Sequence, residues 1–233
     1  MPTFATVEVP ARHGDVAGVI AWLDRVLPTV AADVVLLPEA CITGYVSPEG
    51  DSDLRRFAEE LGGPLEQEMA ERARRLGVYL GWPLIEREGD RYFNTYCVTA
   101  PDGARLVHYR KRHPWYLETW ADPGENPHPV FSLLGMRVTL AVCFDIHFLT
   151  EEAGVLLDQA DVLLFPSAWV EKADSRASLF LNLARAHRVS IVNANWGVGD
   201  VVVPGQGASR IVGADGRELA RAPLGGVAVA ELG

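Results

Sequence analysis

Three stretches carry side chains that could do chemistry. The first, residues 139–148, reads Thr-Leu-Ala-Val-Cys-Phe-Asp-Ile-His-Phe and centres on Cys143. A thiol there could serve as a nucleophile: residues 136–142 predict a short buried strand and residues 148–160 a helix, so Cys143 falls between a strand end and a helix start. Open α/β sheets place ligands at such points, and amides near a helix start favour a thiolate. The plainer reading is a buried packing cysteine. The second stretch, Leu-Leu-Pro-Glu-Ala-Cys-Ile-Thr-Gly-Tyr, holds Glu39 just after an apolar run over residues 33–38. Pro38 marks the end of that strand, which puts Glu39 at the C-terminal edge of a sheet. Its apolar flanks (Leu36, Leu37, Ala40, Cys41 and Ile42) predict a partly buried carboxylate suited to general-base work, against the alternative of a solvated loop glutamate. The third, residues 108–129, is a long connection with Lys111, His113, Glu118 and the aromatics Trp115, Tyr116 and Trp120. Loops of this length without regular structure are uncommon unless functional. Its basic tripeptide, residues 110–112, is open to two readings: a solvated patch, or a catalytic amine at Lys111.

The elements that must position these groups follow from hydropathy. Residues 3–9 alternate as a strand. Residues 15–30 place Val16, Ile20, Leu23 and Leu27 on one helical face, and residues 33–38 form a continuously apolar strand, which together make a βαβ unit. Residues 50–77 predict a helix with Pro64 in an early turn and a stripe of Leu65, Met69, Ala73 and Leu76. Strands near 78–86, 91–99 and 104–110 follow, joined by turns at 88–90 and 101–103, so the sheet is mixed. After Cys143 the alternation resumes: an apolar run at 160–166, a helix at 174–188 with Leu179, Leu183 and Ala186 inward, a strand at 189–194, two short strands about the turn at 214–216, and a last strand at 226–231. No linker or low-complexity stretch divides the chain, which predicts one domain over residues 1–233.

Composition narrows the classes. The 233 residues carry a formal net charge of −10, with 48% hydrophobic and 22% charged residues. That argues against nucleic acid or an anionic membrane as the main partner, since both select basic surfaces. No apolar run approaches the roughly 18 residues needed to span a bilayer, and the first ten residues lack the pattern of a signal peptide. The 3 cysteines have no paired spacing, which fits a reducing cytoplasm; no cysteine–histidine spacing suggests a metal site.

Taken in order, the motifs around Glu39, Lys111 and Cys143 resemble those of the nitrilase, or carbon–nitrogen hydrolase, superfamily. The resemblance extends to Pro-Ser-Ala-Trp ending at Trp169 and to the Ala-Asn-Trp-Gly loop that contains Asn195. It implies an α/β fold, a four-layer α-β-β-α sandwich, commonly paired into homodimers or higher homo-oligomers. It implies Cys143 as nucleophile, Glu39 as general base, Lys111 with the backbone N–H of Phe144 as oxyanion donors, and Glu118 as a second, substrate-positioning glutamate. The chemistry is coherent: an amide carbon needs a strong nucleophile, a proton shuttle for the leaving amine, and fixed positive charge where the oxyanion forms. No cofactor is called for, and the partner implied is a small-molecule amide. The sequence departs from the family pattern after the cysteine, where His147, Leu149 and Thr150 stand in place of Arg, Pro and Glu. This leaves open any substrate assignment that depends on that arginine. Trp115, Phe144, His147, Trp169 and Asn195 are the candidate substrate-binding residues, with Trp169 as pocket wall or core and His147 as a specificity residue or a core histidine. Asp145 is expected to bond nearby backbone or loop groups. A nitrilase or N-carbamoyl hydrolase would use the same residues. A non-catalytic binding protein, or a Cys–His hydrolase using His113, His147 or His187, are the readings from other classes.

Overall fold

The computed structural model describes residues 1–171 and 173–233. Among the described residues twelve strands form two six-stranded sheets. The first sheet runs in the order β12 (Val227–Glu231), β1 (Thr3–Val7), β2 (Val34–Leu36), β3 (Tyr79–Glu88), β4 (Arg91–Thr99), β5 (Arg105–Arg110). The second runs β11 (Glu218–Arg221), β10 (Arg210–Val212), β9 (Ser190–Asn195), β8 (Val162–Ser167), β7 (Met136–Leu140), β6 (Val130–Leu133). Both are mixed: β1–β2–β3 and β7–β8–β9 pair in parallel, and the flanking strands are antiparallel.

Side-chain alternation builds the layers. In the first sheet Phe4, Val34, Leu36, Tyr96 and Val98 face the second sheet and join Val138, Leu140, Val162 and Val192 in one core. The intervening positions (Ala5, Val7, Val35, Leu80, Trp82 and Cys97) turn to the other side, against Val19 and Leu23 of α1 (Val16–Val26) and Met69 and Ala73 of α2 (Pro64–Leu76). On the outer face of the second sheet Phe165 packs at 5.5 Å, ring to ring, on Phe180 of α4 (Arg176–His187). Leu149 and Leu157 of α3 (Leu149–Leu157) join the same core. The result is the α-β-β-α sandwich expected from the motifs.

Several elements differ from the expectation, each for a local reason. The helix predicted over residues 50–77 is present only at Pro64–Leu76, after a single 3-10 turn at Arg55–Phe57. Upstream, Ser47 Oγ accepts from the amides of Glu49 and Asp51, and Asp53 Oδ1 accepts from Arg55 N. These local bonds compete with helix formation. The helix at 15–30 ends at Val26, and a 3-10 turn over Leu27–Thr29 carries Pro28. Strand β6 was not anticipated; it pairs with β7 through a tight turn in which Leu134 and Gly135 both have positive φ (52° and 81°). In α4 Leu179 and Leu183 face the core as expected, joined by Phe180 and Ala184, while Ala186 faces solvent. Pro166 lies inside β8 rather than closing it. The β7–β8 ladder stops at Leu164, so Pro166 withholds no N–H from that neighbour.

Candidate functional site

Glu39 and Lys111 follow the C-terminal ends of β2 and β5, while Cys143 follows β7. The first sheet therefore supplies the charges and the second supplies the thiol. Lys111 Nζ donates to Glu39 Oε1 at 2.7 Å and to both oxygens of Glu118 at 2.7 and 3.0 Å. All three are buried: Glu39 is 1%, Lys111 1% and Glu118 2% exposed. Asn94, on β4, ties the carboxylates together by donating Nδ2 to Glu39 Oε1 (2.8 Å) and Glu118 Oε1 (3.2 Å). The Tyr45 hydroxyl and the Trp115 amide also donate to Glu118, at 2.7 and 3.0 Å. Glu39 Oε2 accepts from Ala168 N at 2.9 Å, a bond that joins the loop after β2 to the loop after β8.

Burial opposes the charge on Lys111, but the flanking carboxylates of Glu118 and Glu39 outweigh it and raise its proton affinity. The ammonium is therefore a fixed positive charge. Glu118 is shifted upward, first by burial and then against the pull of Lys111, with Glu39 adding to the rise.

Cys143 sits at φ 46°, a left-handed conformation uncommon for a residue with a Cβ. It opens a 3-10 turn, Cys143–His147, rather than an α-helix. Asp145 holds that turn: it is fully buried, and it accepts from Val142 N (3.1 Å), the Tyr109 hydroxyl (2.9 Å) and His113 N (2.9 Å). Because His113 lies two residues after Lys111, Asp145 fixes the thiol-bearing turn to the lysine-bearing loop. The thiol is not the thiolate that a helix start would favour. Burial pushes its pKa well above the ordinary value and Glu39 pushes it further, while Lys111 and the Ala168 amide pull only part of the way back. A neutral thiol with a carboxylate beside it can act as a nucleophile once the proton moves.

Cys143 lines a cavity of about 80 Å³ with Trp115, Phe144, His147, Ala168, Trp169 and Val170. Four of the five candidate substrate-binding residues thus meet the thiol. Asn195 does not. It is buried at the end of β9, its Oδ1 accepting from Ser167 Oγ and Trp169 N and its Nδ2 donating to the carbonyls of Gly205 and Gly207. Its side chain is spent on holding the Trp169 loop. Sequence reasoning missed Asn94, Tyr45 and the Ala168 amide. Asn94 left one signal, an amide between Phe93 and Thr95 inside a strand, a position where Asn is depleted. Cys41 and Cys97 are free and packed on the helix side of the first sheet, their thiols raised by burial. Among the described residues no three His, Cys, Asp or Glu side chains gather as a metal site, and no helix is long and apolar enough to cross a membrane.

A four-layer sandwich with a Glu–Lys–Glu cluster facing a cysteine across two sheets defines a class of hydrolase-like folds. The comparisons with known proteins make it specific: residues 12–232 match the carbon–nitrogen hydrolase family model, and the chain belongs to that family. A Pseudomonas protegens protein, described as a hydrolase in the pqqF 5′ region, is 29% identical over 94% of this chain and 78% of its own. An omega-amidase of Danio rerio is 30% identical over 59% of this chain, which spans about half (52%) of that relative's length. Among solved structures, an amidase from Nesterenkonia sp. superposes with a TM-score of 0.87 at 26% identity, covering 99% of this chain and 90% of the other. A cysteine-to-alanine variant of the Nesterenkonia sp. AN1 amidase, in complex with butyramide, superposes equally well at 25% identity and the same coverage.

Proposed function

We propose that the protein hydrolyses the C–N bond of a small amide through a thioester on Cys143, releasing ammonia or an amine. The observation that carries this reading is the buried Glu39–Lys111–Glu118 cluster placed against a thiol that opens to a cavity. Burying two carboxylates and an ammonium in a loop cluster costs stability that apolar side chains would not, and the cost is intelligible where charge must be held ready for a reaction.

The steps follow from the groups. The thiol proton passes to Glu39 as sulfur attacks the amide carbon. The negative charge that develops on the carbonyl oxygen is held by Lys111, with the Phe144 amide as second donor. Lys111 has three N–H donors and two acidic partners, so it can turn one donor to the oxyanion. Glu39 returns the proton to the nitrogen as the C–N bond breaks and the thioester forms. It then takes a proton from water as the water attacks the thioester, and the carboxylic acid leaves as sulfur recovers its proton. Glu118 holds Lys111 in place and faces the substrate amide. Because the resting thiol is neutral, proton transfer to Glu39 belongs to the attack itself rather than preceding it.

Nitrile and N-carbamoyl substrates would use the same groups. The butyramide complex of the structural neighbour favours the amide reading. The family commonly pairs its sandwiches, and we propose a homodimer, to be checked by light scattering at micromolar concentration, where a monomer mass would overturn it. The test of function is ammonia release from a panel of small amides, with intact-mass detection of an acylated chain. Cys143→Ala is expected to abolish both signals with the circular dichroism spectrum unchanged. Retention of more than a few percent of the turnover would refute the thioester route.

A further inference from the structure

Two buried side chains that the proposed steps leave unused, Tyr109 and His128, pack behind the turn that carries Cys143. Tyr109 lies near the end of β5, two residues before Lys111, and His128 lies in the loop before β6; they are 1% and 5% exposed. The Tyr109 hydroxyl donates to Asp145 Oδ2 at 2.9 Å, and its oxygen is 3.1 Å from His128 Nδ1. The same Nδ1 is 3.0 Å from the Leu140 carbonyl oxygen. That carbonyl can only accept, so Nδ1 carries a proton and shares it between Leu140 and Tyr109. Burial and the Asp145 carboxylate raise the proton affinity of the Tyr109 phenol, so it remains a donor. The other ring nitrogen of His128, Nε2, is buried without a hydrogen-bond partner among the described residues and faces Glu152 Oε2 at 3.6 Å. Only Nδ1 reaches toward the turn.

Strand pairing gives the histidine its place. β6 and β7 pair as far as Val130 and Thr139, so Leu140 lies one residue past the last pair. His128, two residues before Val130, supplies from its side chain a donor that the departing strand no longer offers. Leu140 precedes Cys143 by three residues. Asp145 follows Cys143 by two and takes the Val142 and His113 amides as well as the Tyr109 hydroxyl. One imidazole thus grips the chain before the thiol directly and the chain after it through Tyr109. Between the two grips Cys143 holds φ 46°, a conformation that persists only where its surroundings over-determine it.

We propose that His128 is a positioning residue for the reaction: through Leu140, and through the Tyr109–Asp145 pair, its Nδ1–H holds the turn that presents the Cys143 thiol. The proposal rests on the amide-hydrolase reading of the same site. The cavity at Cys143 is walled by other residues, so the effect belongs to kcat rather than to KM.

The experiment moves or removes single donors. Tyr109→Phe removes the hydroxyl alone. His128→Asn keeps an N–H donor where Nδ1 stands, whereas His128→Gln carries its amide out to where Nε2 stands. On an amide that the wild type hydrolyses, kcat is expected to fall about 10- to 100-fold in Tyr109→Phe and His128→Gln, with KM little changed, as for a misplacement on the order of 1 Å. His128→Asn is expected to keep most of kcat. The double variant Tyr109→Phe/His128→Gln is expected to lose much less than the product of the single losses, because both act on one turn. Iodoacetamide alkylation of Cys143 gives a readout that needs no substrate. Burial holds this thiol neutral, and a loosened turn admits water to it. Alkylation at pH 8 is therefore expected to quicken severalfold in Tyr109→Phe and His128→Gln but not in His128→Asn. Should His128→Gln fail to fold, Tyr109→Phe carries the test. Unchanged kcat and alkylation in Tyr109→Phe and His128→Gln would overturn the positioning while Cys143→Ala still tests the hydrolase reading. Equal loss of kcat in His128→Asn and His128→Gln would overturn it too, because Nδ1 would not be the group that acts. A wild type that turns over no amide would overturn the hydrolase reading, and the alkylation rates would still decide what holds the thiol.

Discussion

Replacing Lys111 by methionine tests the charge cluster from two sides. Methionine keeps most of the volume of the buried stem but removes the ammonium that bonds Glu39 Oε1 and both oxygens of Glu118. The two Oε1 atoms are then left sharing the Asn94 amide, close enough that both cannot stay ionised. Breaking one partner out of a buried ionic cluster costs about 3–5 kcal/mol, a large part of the roughly 5–15 kcal/mol that holds a domain folded. The sign with pH follows. In the variant the carboxylate pair takes up a proton, so its folded pKa rises above the unfolded value. The associated stability is full below that unfolded value and is lost as pH rises. Lys111→Met should therefore be strongly destabilised at pH 7 and should recover much of the loss near pH 5. Wild type, in which Lys111 pulls against the rise that burial gives Glu118, should show a smaller recovery. Turnover should fall by about 100- to 1000-fold at any pH where the variant is folded, the usual effect of losing an oxyanion donor. Urea unfolding at pH 5 and pH 7 measures the first effect, and ammonia release at pH 6 measures the second. A variant as stable as wild type at pH 7, with no gain on acidification, would show that the cluster is not the charged network described above.

Glu39→Gln keeps the shape and one acceptor but cannot carry the proton. Turnover should fall by roughly 100- to 10,000-fold, and a near wild-type rate would move the base to Glu118 or His113. In wild type the alkylation rate of Cys143 by iodoacetamide should keep rising through pH 9, because burial and Glu39 hold the thiol above its ordinary range. A plateau below pH 8 would contradict that. Asp145→Ala leaves the Val142 and His113 amides without their acceptor, at about 1–3 kcal/mol; kcat should fall more than KM rises, and unchanged kcat would reduce Asp145 to a packing role. Glu86 is buried, yet its bonds to His108, Arg110 and Thr95 outweigh that burial and hold its carboxyl at about 2. Its contribution is present above the unfolded value of 4.5 and lost as pH falls toward 2, so Glu86→Gln should cost about 3 kcal/mol at neutral pH and far less near pH 2. A pH-independent cost would show that the charge of Glu86 is not what stabilises it.

The sandwich and the placement of Glu39 and Cys143 were legible because each follows an apolar strand, and such strand ends leave a plain mark in hydropathy; Lys111 follows the polar strand Arg105–Arg110 and stood out only through the resemblance. Glu118 was legible only through resemblance, since nothing in its own loop distinguishes it from a solvated glutamate. The resting state of Cys143 was misread for a physical reason. A strand followed by a helix suggested amide dipoles at the sulfur, but the chain makes a 3-10 turn first, and burial beside two carboxylates decides the ionisation. Asn195 was misplaced because a sequence motif names a loop without saying which way its side chains turn; here both ends of the amide are taken by backbone and Ser167. The helix over residues 50–63 failed where serine and aspartate side chains capture nearby amides, a competition that hydropathy does not register.

The bond from Ala168 N to Glu39 Oε2 joins residues 129 positions apart, one from each sheet. On the proposed reading, base and nucleophile therefore share no local stretch of chain, and neither sheet alone holds a working site. A folding intermediate with one sheet formed carries an isolated cysteine or an isolated glutamate, and the side-chain amides of its own Asn and Gln residues are safe from it. The same separation makes catalysis a sensitive gauge of how the halves are seated. A slip between the sheets too small to open the core would still part sulfur from carboxylate, so on heating, hydrolysis should cease before the secondary structure melts.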